Sequence, residues 1–269
     1  MEKQILEKLQ NVETEILKDV TDFCDKHALK YSLYAGTLLG AVRHKGFIPW
    51  DDDVDICMPR LDYEKFLKLW REESPTGYFL QATDGKNKTT INHTKIRKIG
   101  TLLANENDLK TNENNGIWVD IFAFDKVPNS KKKQKRILFY AKLRMVYTRN
   151  YPVKKKGFLF ECLSRIMLCI PNSLKRKIRN KSENEVTKYN DLTDNFIYKT
   201  FSCIEELPIN LPEYIFDEFQ LADFGIYRFK IFKAYDEVLK IFYGDYMKIP
   251  DENHRVNHNP CRVEFLEEK

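Results

Sequence analysis

No stretch of the 269 residues stays apolar for long enough to cross a bilayer. The longest such run, Gly157 to Pro171, is broken by Glu161, Ser164 and Arg165 and falls short of the roughly 20 residues required. The N-terminal MEKQILEKLQ lacks the basic region, apolar core and small-residue cleavage site of an export signal, so a cytoplasmic location is expected. The six cysteines (Cys24, Cys57, Cys162, Cys169, Cys203 and Cys261) form no CxxC pair and lie mainly among apolar residues, which favours buried free thiols over disulfides or zinc ligands. Glycine is scarce, at 10 residues, and neither an internal repeat nor a low-complexity linker is visible.

What the chain does have is 42% apolar and 32% charged residues, enough for a sizeable core and too hydrophobic for a disordered chain. Its length suits one large domain or a core with an appended lobe. Charge is distributed in two parts. From Lys126 to Lys181 there are 18 Lys or Arg against the single acid Glu161, a net +17; the whole chain is +5, so the remainder carries −12. A solvated basic lobe is the plain reading of such a segment, and anionic lipid head groups, a polyphosphate or nucleic acid are the partners it would suit.

Periodicity divides the chain into three parts, 1–128, 129–190 and 191–269. In the first, Ile5, Leu9, Val12, Ile16, Val20 and Phe23 recur every three or four residues and predict an amphipathic helix over 2–29, a brace packed on something larger. A strand at Tyr31 to Ala35 leads into a glycine-opened helix at Gly36 to Arg43. Val54 to Met58 reads as a strand, and Pro59 starts a helix bearing Tyr63, Phe66, Leu67 and Trp70. Further strands are expected at Tyr78 to Ala82, Thr94 to Ile99 and Ile117 to Phe124. The middle part reads as basic helices, and the last as short aromatic-rich segments with a helix near Lys233 to Phe242, stopped by Gly244. The fold class is α/β (α+β), a mixed sheet flanked by helices.

Three of the ten glycines, Gly36, Gly40 and Gly46, precede four carboxylates in five residues: Asp51, Asp52, Asp53 and Asp55. Close carboxylates repel by about 1 kcal/mol per pair in water and about 4 at an effective dielectric near 20, so partial burial calls for a cation. Side chains two apart on a strand share a face. Asp53 and Asp55 therefore project together while Val54 and Ile56 enter the core. Hard oxygen ligands favour Mg²⁺, or Mn²⁺, over zinc. A calcium loop starting at Asp51 would need Gly at 56 and Glu at 62, where Ile56 and Asp62 stand. The N-terminal amides of the Gly36-Thr37 helix would face a phosphate. Phosphoryl transfer needs a third carboxylate on a later strand, for which Asp120 fits and Asp125 is the rival. A solvated acidic loop is the alternative for the cluster, and a strand-end cap for Asp120.

The run YSLYAGTLLGAVRHKGFIPWDDDVDICMPRLDYEKF, with WVDIFAFDKVP and the late FYGDYMKIP followed by Arg255 and His258, resembles the LicD family of phosphorylcholine transferases and fukutin-type proteins over about residues 20–128 and 235–260. The resemblance implies a nucleotidyltransferase-like fold, a divalent metal, and transfer of a phospho-alcohol from a CDP-activated donor to a glycan hydroxyl; the basic helical lobe, read as an insertion in that core, matches none of its motifs. It makes Gly36, Thr37, Asp53 and Asp55 the nucleotidyltransferase signature and Asp120 the later aspartate; Asp53, Asp55 and Asp120 are the expected catalytic and metal-binding residues.

Further candidates for donor or substrate binding are Arg43 and His44, Lys95 and Arg97, and, from the C-terminal motif, Asp245, Arg255 and His258. Tyr31, Tyr34, Trp50 and Trp118 would suit a cage for a quaternary ammonium, with core packing the default for each. The expected reaction moves phosphocholine from CDP-choline to a hydroxyl of a cell-surface glycan or teichoic acid precursor, on a lipid-linked or soluble glycan acceptor. The 129–181 segment would meet an anionic membrane, its 157–171 stretch as an interfacial helix. Ribitol or glycerol phosphate are alternatives for the transferred group. A DxD glycosyltransferase using a nucleotide sugar and a non-enzymatic basic membrane- or nucleic-acid-binding module are the rival functions, nucleic acid being disfavoured because it leaves the acidic cluster unexplained.

Overall fold

The computed structural model describes residues 1–82, 90–106, 108–110, 114–149, 165–255, 257 and 260–265. The chain divides into two compact units, Met1–Gln81 with Thr94–Phe122 and Tyr214–Lys269 in one, Ala82–His93 with Ala123–Glu213 in the other.

The first unit opens with α1 (Lys3–Lys26), whose buried stripe runs Leu9, Glu13, Ile16, Leu17, Val20 and Cys24. This stripe is rotated from the sequence reading: Ile5 is exposed and Val12 only partly covered, and the position between Leu9 and Leu17 belongs to a carboxylate. Next come β1 (Ser32–Leu33), α2 (Ala35–His44), β2 (Asp55–Pro59), α3 (Arg60–Glu73), β3 (Tyr78–Gln81), β4 (Thr94–Lys98), β5 (Leu102–Ala104) and β6 (Trp118–Pro128). All of these strands but β5 join a mixed sheet of order β1-β2-β6-β4-β3 with flanking helices, the expected α+β class. Its core is built by alternation. Val54 and Ile56 are fully buried on one side of their segment, as are Val119 and Ile121 of β6. α3 adds Tyr63, Phe66, Leu67 and Trp70, with Phe23 of α1 packed edge-on against Phe66 and Trp70.

Register delivers the polar residues. β4 runs antiparallel to β6 with Lys95 opposite Asp120 and Arg97 opposite Trp118, while the Asp120 amide donates to the Val54 carbonyl at 2.8 Å. The acidic loop before β2 thus lies beside the start of β6. One glycine explains the turn that leads to it: a Cβ on Gly40 would come within 2.4 Å of the Gly46 carbonyl oxygen, so only glycine lets the chain fold back against α2.

In the second unit, the later half of β6 pairs antiparallel with β7 (Phe196–Thr200), and α4 (Lys131–Arg149) packs against α5 (Asn172–Thr187). Val127, Ile137, Ala141, Met145, Val186, Phe201 and Leu207 make its core. Asp125, the sequence-level rival for the third carboxylate, is buried here and accepts from Asn190 Nδ2 at 2.8 Å. The C-terminal part returns to the first unit with the hairpin β8 (Phe219–Phe224) and β9 (Tyr227–Phe232), then α6 (Tyr235–Tyr243), ended by Gly244 at φ 63°, and β10 (Arg262–Glu264). Of the described cysteines, Cys24 and Cys57 are buried and in no disulfide, as expected, whereas Cys169 and Cys261, also outside any disulfide, are exposed because the segments carrying them lie at the surface.

Candidate active site

The alternation of Asp53, Val54, Asp55 and Ile56 puts two carboxylates on one side of the strand, and β6 brings a third. Oxygen atoms of Asp53, Asp55 and Asp120 lie within 4.8 Å of one another, and so do those of Asp51, Asp52 and Asp53. Asp55 and Asp120 are buried, with Asp53 partly covered. The Asp55 backbone is held from two directions, its amide donating to Thr37 Oγ1 at 2.8 Å and its carbonyl accepting from the Tyr34 amide at 3.0 Å. Thr37 lies in the first turn of α2, so the helix that opens at Ala35, one residue before the expected Gly36, also sets the position of the second aspartate. Gly36 has its own reason: a Cβ there would meet Asp51 Oδ2 at 2.9 Å, so the glycine leaves room for the acidic loop over the helix start.

Asp120 Oδ2 accepts two hydrogen bonds, from Lys95 Nζ at 3.0 Å and from the Trp118 indole N–H at 2.9 Å. These fix its carboxylate orientation. Lys95 Nζ also sits 3.8 Å from the centre of the Trp118 ring, with the Arg97 guanidinium 4.9 Å from the same ring. Burial pulls the Lys95 ammonium below the usual lysine range, and the negative charge of Asp120 opposes that pull. Arg97 donates to Gln81 Oε1 at 2.7 Å and to the Gly116 carbonyl at 2.9 Å.

Two of the four aromatic residues follow the core-packing default, while Trp50 and Trp118 are only partly covered. Tyr31 and Tyr34 are buried, Trp118 is covered by two cations, and the Trp50 ring carries the Arg255 guanidinium at 4.4 Å. Arg43, expected to face phosphate, donates from Nε to His44 Nε2 at 2.9 Å and from Nη1 to the Tyr246 carbonyl at 2.6 Å, which ties the end of α2 to the C-terminal motif. Burial, then the Arg43 charge, lower the His44 pKa. Asp245 is exposed just after the Gly244 cap. Arg255 bonds to the Pro250 carbonyl at 3.4 Å. His258 lies outside the described residues.

Glu13 is the site residue that sequence reasoning missed. It is 0% exposed on the face of α1 turned to the acidic loop, where Gln10, one turn earlier, donates to the Asp51 carbonyl at 2.9 Å. Neither Glu13 oxygen has a hydrogen-bond partner among the described residues. Burial pushes its carboxyl well above the usual range, and the charges of Asp53, Asp52, Asp51 and Asp120 push it further. The signal was an acid four residues from both Leu9 and Leu17, on what reads as an apolar face.

This donor set suits a hard divalent cation. Among the described residues, the two clusters that could hold an ion consist of carboxylates alone, without thiolate or imidazole, and pack more negative charge than the Lys95 ammonium offsets.

Comparison with known proteins agrees with this geometry. Residues 28–163 match the family model described as LicD/FKTN/FKRP, nucleotidyltransferase domain. The chain is 32% identical to the lipopolysaccharide cholinephosphotransferase LicD of Haemophilus influenzae, an alignment covering 96% of this chain and 97% of that protein. Shorter similarities, each over 64 residues and 24% of this chain, link it to uncharacterised proteins of Rickettsia prowazekii, 52% identical over 24% of its length, and Rickettsia typhi, 41% identical over 21%.

Proposed function

Since the chain belongs to the family of LicD, FKTN and FKRP nucleotidyltransferase domains, we propose that it is a phosphocholine transferase that moves the phosphocholine group of CDP-choline to a hydroxyl of a cell-surface glycan precursor. The observation that carries this reading is the convergence of Asp53 and Asp55, where the acidic loop enters β2, with Asp120 of β6. These three residues would hold Mg²⁺, which when bound would offset the charge of the donor diphosphate and polarise the phosphoryl group under attack.

The protein's own groups then have distinct tasks. The first-turn amides of α2, which the helix itself leaves unsatisfied, face the donor phosphates, and the hydroxyl of Thr37 keeps Asp55 in place beneath them. Asp120, oriented by Lys95 and Trp118, accepts the proton of the attacking hydroxyl. As that oxygen bonds to phosphorus, the bond to the CMP oxygen breaks in line, and Lys95 offsets negative charge at the same edge. Incubation of the purified chain with CDP-choline, CDP-ribitol, CDP-glycerol and nucleotide sugars, with Mg²⁺ or EDTA, tests the assignment. CMP release from CDP-choline that requires the cation is expected; turnover of a nucleotide sugar alone would replace it with the glycosyltransferase reading.

Among the described residues no helix is long and apolar enough to cross a membrane. The proposed setting is peripheral, at the inner face of the cell membrane beside a lipid-linked acceptor. The 157–171 segment expected to mediate this falls largely outside the described residues. Support comes instead from α4, where Lys132, Lys135, Phe139 and Lys142 form an exposed stripe with Phe139 58% exposed. Flotation with anionic liposomes at low salt should carry the chain upward, and Lys132→Glu with Lys135→Glu should abolish this. An unbound wild-type chain would remove the membrane from the account.

A further inference from the structure

The acidic loop leaves from a tight turn, in which the Asp51 amide donates to the Ile48 carbonyl at 2.9 Å with Pro49 and Trp50 at the corner. Trp50 is only partly covered. Two groups bracket its ring: the His44 imidazole, edge-on with ring centres 6.4 Å apart, and the Arg255 guanidinium, 4.4 Å from the ring centre and within the roughly 6 Å over which a cation is drawn to an aromatic face. Both brackets are themselves anchored. His44 Nε2 accepts from Arg43 Nε at 2.9 Å, and Arg43 Nη1 donates to the carbonyls of Tyr246 at 2.6 Å and Lys248 at 3.3 Å, which ties the end of α2 to the segment that carries Arg255. The hydrogen bonds of Arg255 within that segment, to the Pro250 carbonyl and to Glu252 Oε1, are long at 3.4 Å each.

We propose that Arg255 is a positioning residue: by holding the Trp50 ring it fixes the turn from which the acidic loop departs, and through that turn the carboxylates that take the cation. This rests on the reading of Asp53, Asp55 and Asp120 as cation ligands. The sign of one effect separates the role from plain electrostatics. A positive charge near a cation site repels the bound ion, so its removal alone would tighten binding. Removal of a support that orients the ligands would loosen it.

The experiment is titration of the full chain with Mn²⁺, without donor, reading free ion by electron paramagnetic resonance. Arg255→Ala should weaken the ion that Asp120→Asn also weakens by about fivefold, the size a partly exposed cation–π contact supports. Arg255→Lys, which keeps a cation able to sit over the ring, should retain most of the affinity. Trp50→Ala should weaken the ion as well, and adding Arg255→Ala to it should cost nothing more, because the guanidinium then has no ring to hold. Unchanged or tighter binding by folded Arg255→Ala would overturn the proposal and leave the cation site standing, and so would losses that add in the double variant. Should Trp50→Ala fail to fold, Trp50→Leu takes its place in the cycle, and the Arg255→Ala result decides by itself. A wild-type chain that binds no ion, or one that Asp120→Asn leaves untouched, would overturn the cation reading itself.

Discussion

Asp53→Asn and Asp55→Asn are each expected to lower phosphocholine transfer on the order of 10³-fold while leaving the chain folded. The charge stabilisation a bound divalent cation provides is worth several kcal/mol, and each 1.36 kcal/mol is about a factor of ten in rate. Asparagine keeps the shape of the side chain but withdraws the anionic ligand. Folding should survive because the contacts that fix Asp55, to Thr37 and Tyr34, are made by its backbone. Removing one of several mutually repelling carboxylates should also leave the cation-free chain no less stable. Near-normal turnover in either folded variant would contradict the metal assignment.

Lys95→Met is expected to have the largest effect on stability. Lys95 and Asp120 form a buried pair at 3.0 Å, their side chains 10% and 8% exposed. Breaking a buried pair by removing one partner typically costs about 3–5 kcal/mol, because the remaining charge is left in a poorly solvated site. Here the remaining charge stands beside Asp53 and Asp55. Urea unfolding without divalent ions should show that loss, and saturating Mg²⁺ should restore more stability to the variant than it adds to wild type, by mass action on a more negative site. A variant as stable as wild type in EDTA would mean that Lys95 does not neutralise the cluster.

The two alternating aspartates were legible in the sequence because a strand allows one geometry for residues two apart: Val54 and Ile56 are fully buried, and Asp53 and Asp55 come together with Asp120. Most elements of the first unit were equally readable, since their apolar spacing coincides with their burial; the helix over Arg60–Glu73 buries the same Tyr63, Phe66, Leu67 and Trp70 that predicted it. Partnership was not. Lys95 and Arg97 alternate identically on β4, yet the pairing of β4 with β6 sets Lys95 on Asp120, while Arg97 bonds to Gln81 and Gly116. Trp118 was considered for its ring, whereas its indole N–H holds the third carboxylate. Glu13 escaped because a helical stripe can turn by a fraction of a residue without changing its apolar spacing, and only tertiary packing decided that Glu13 would be covered in place of Ile5 and Val12.

The central claim is that Asp53, Asp55 and Asp120 hold a divalent cation against the diphosphate of a CDP-linked donor. Anomalous diffraction from crystals grown with Mn²⁺ and CDP-choline tests it most directly. The account predicts a manganese peak bounded by oxygens of these three residues with the donor diphosphate beside it; manganese bound elsewhere, or a diphosphate seated away from all three carboxylates, would contradict it.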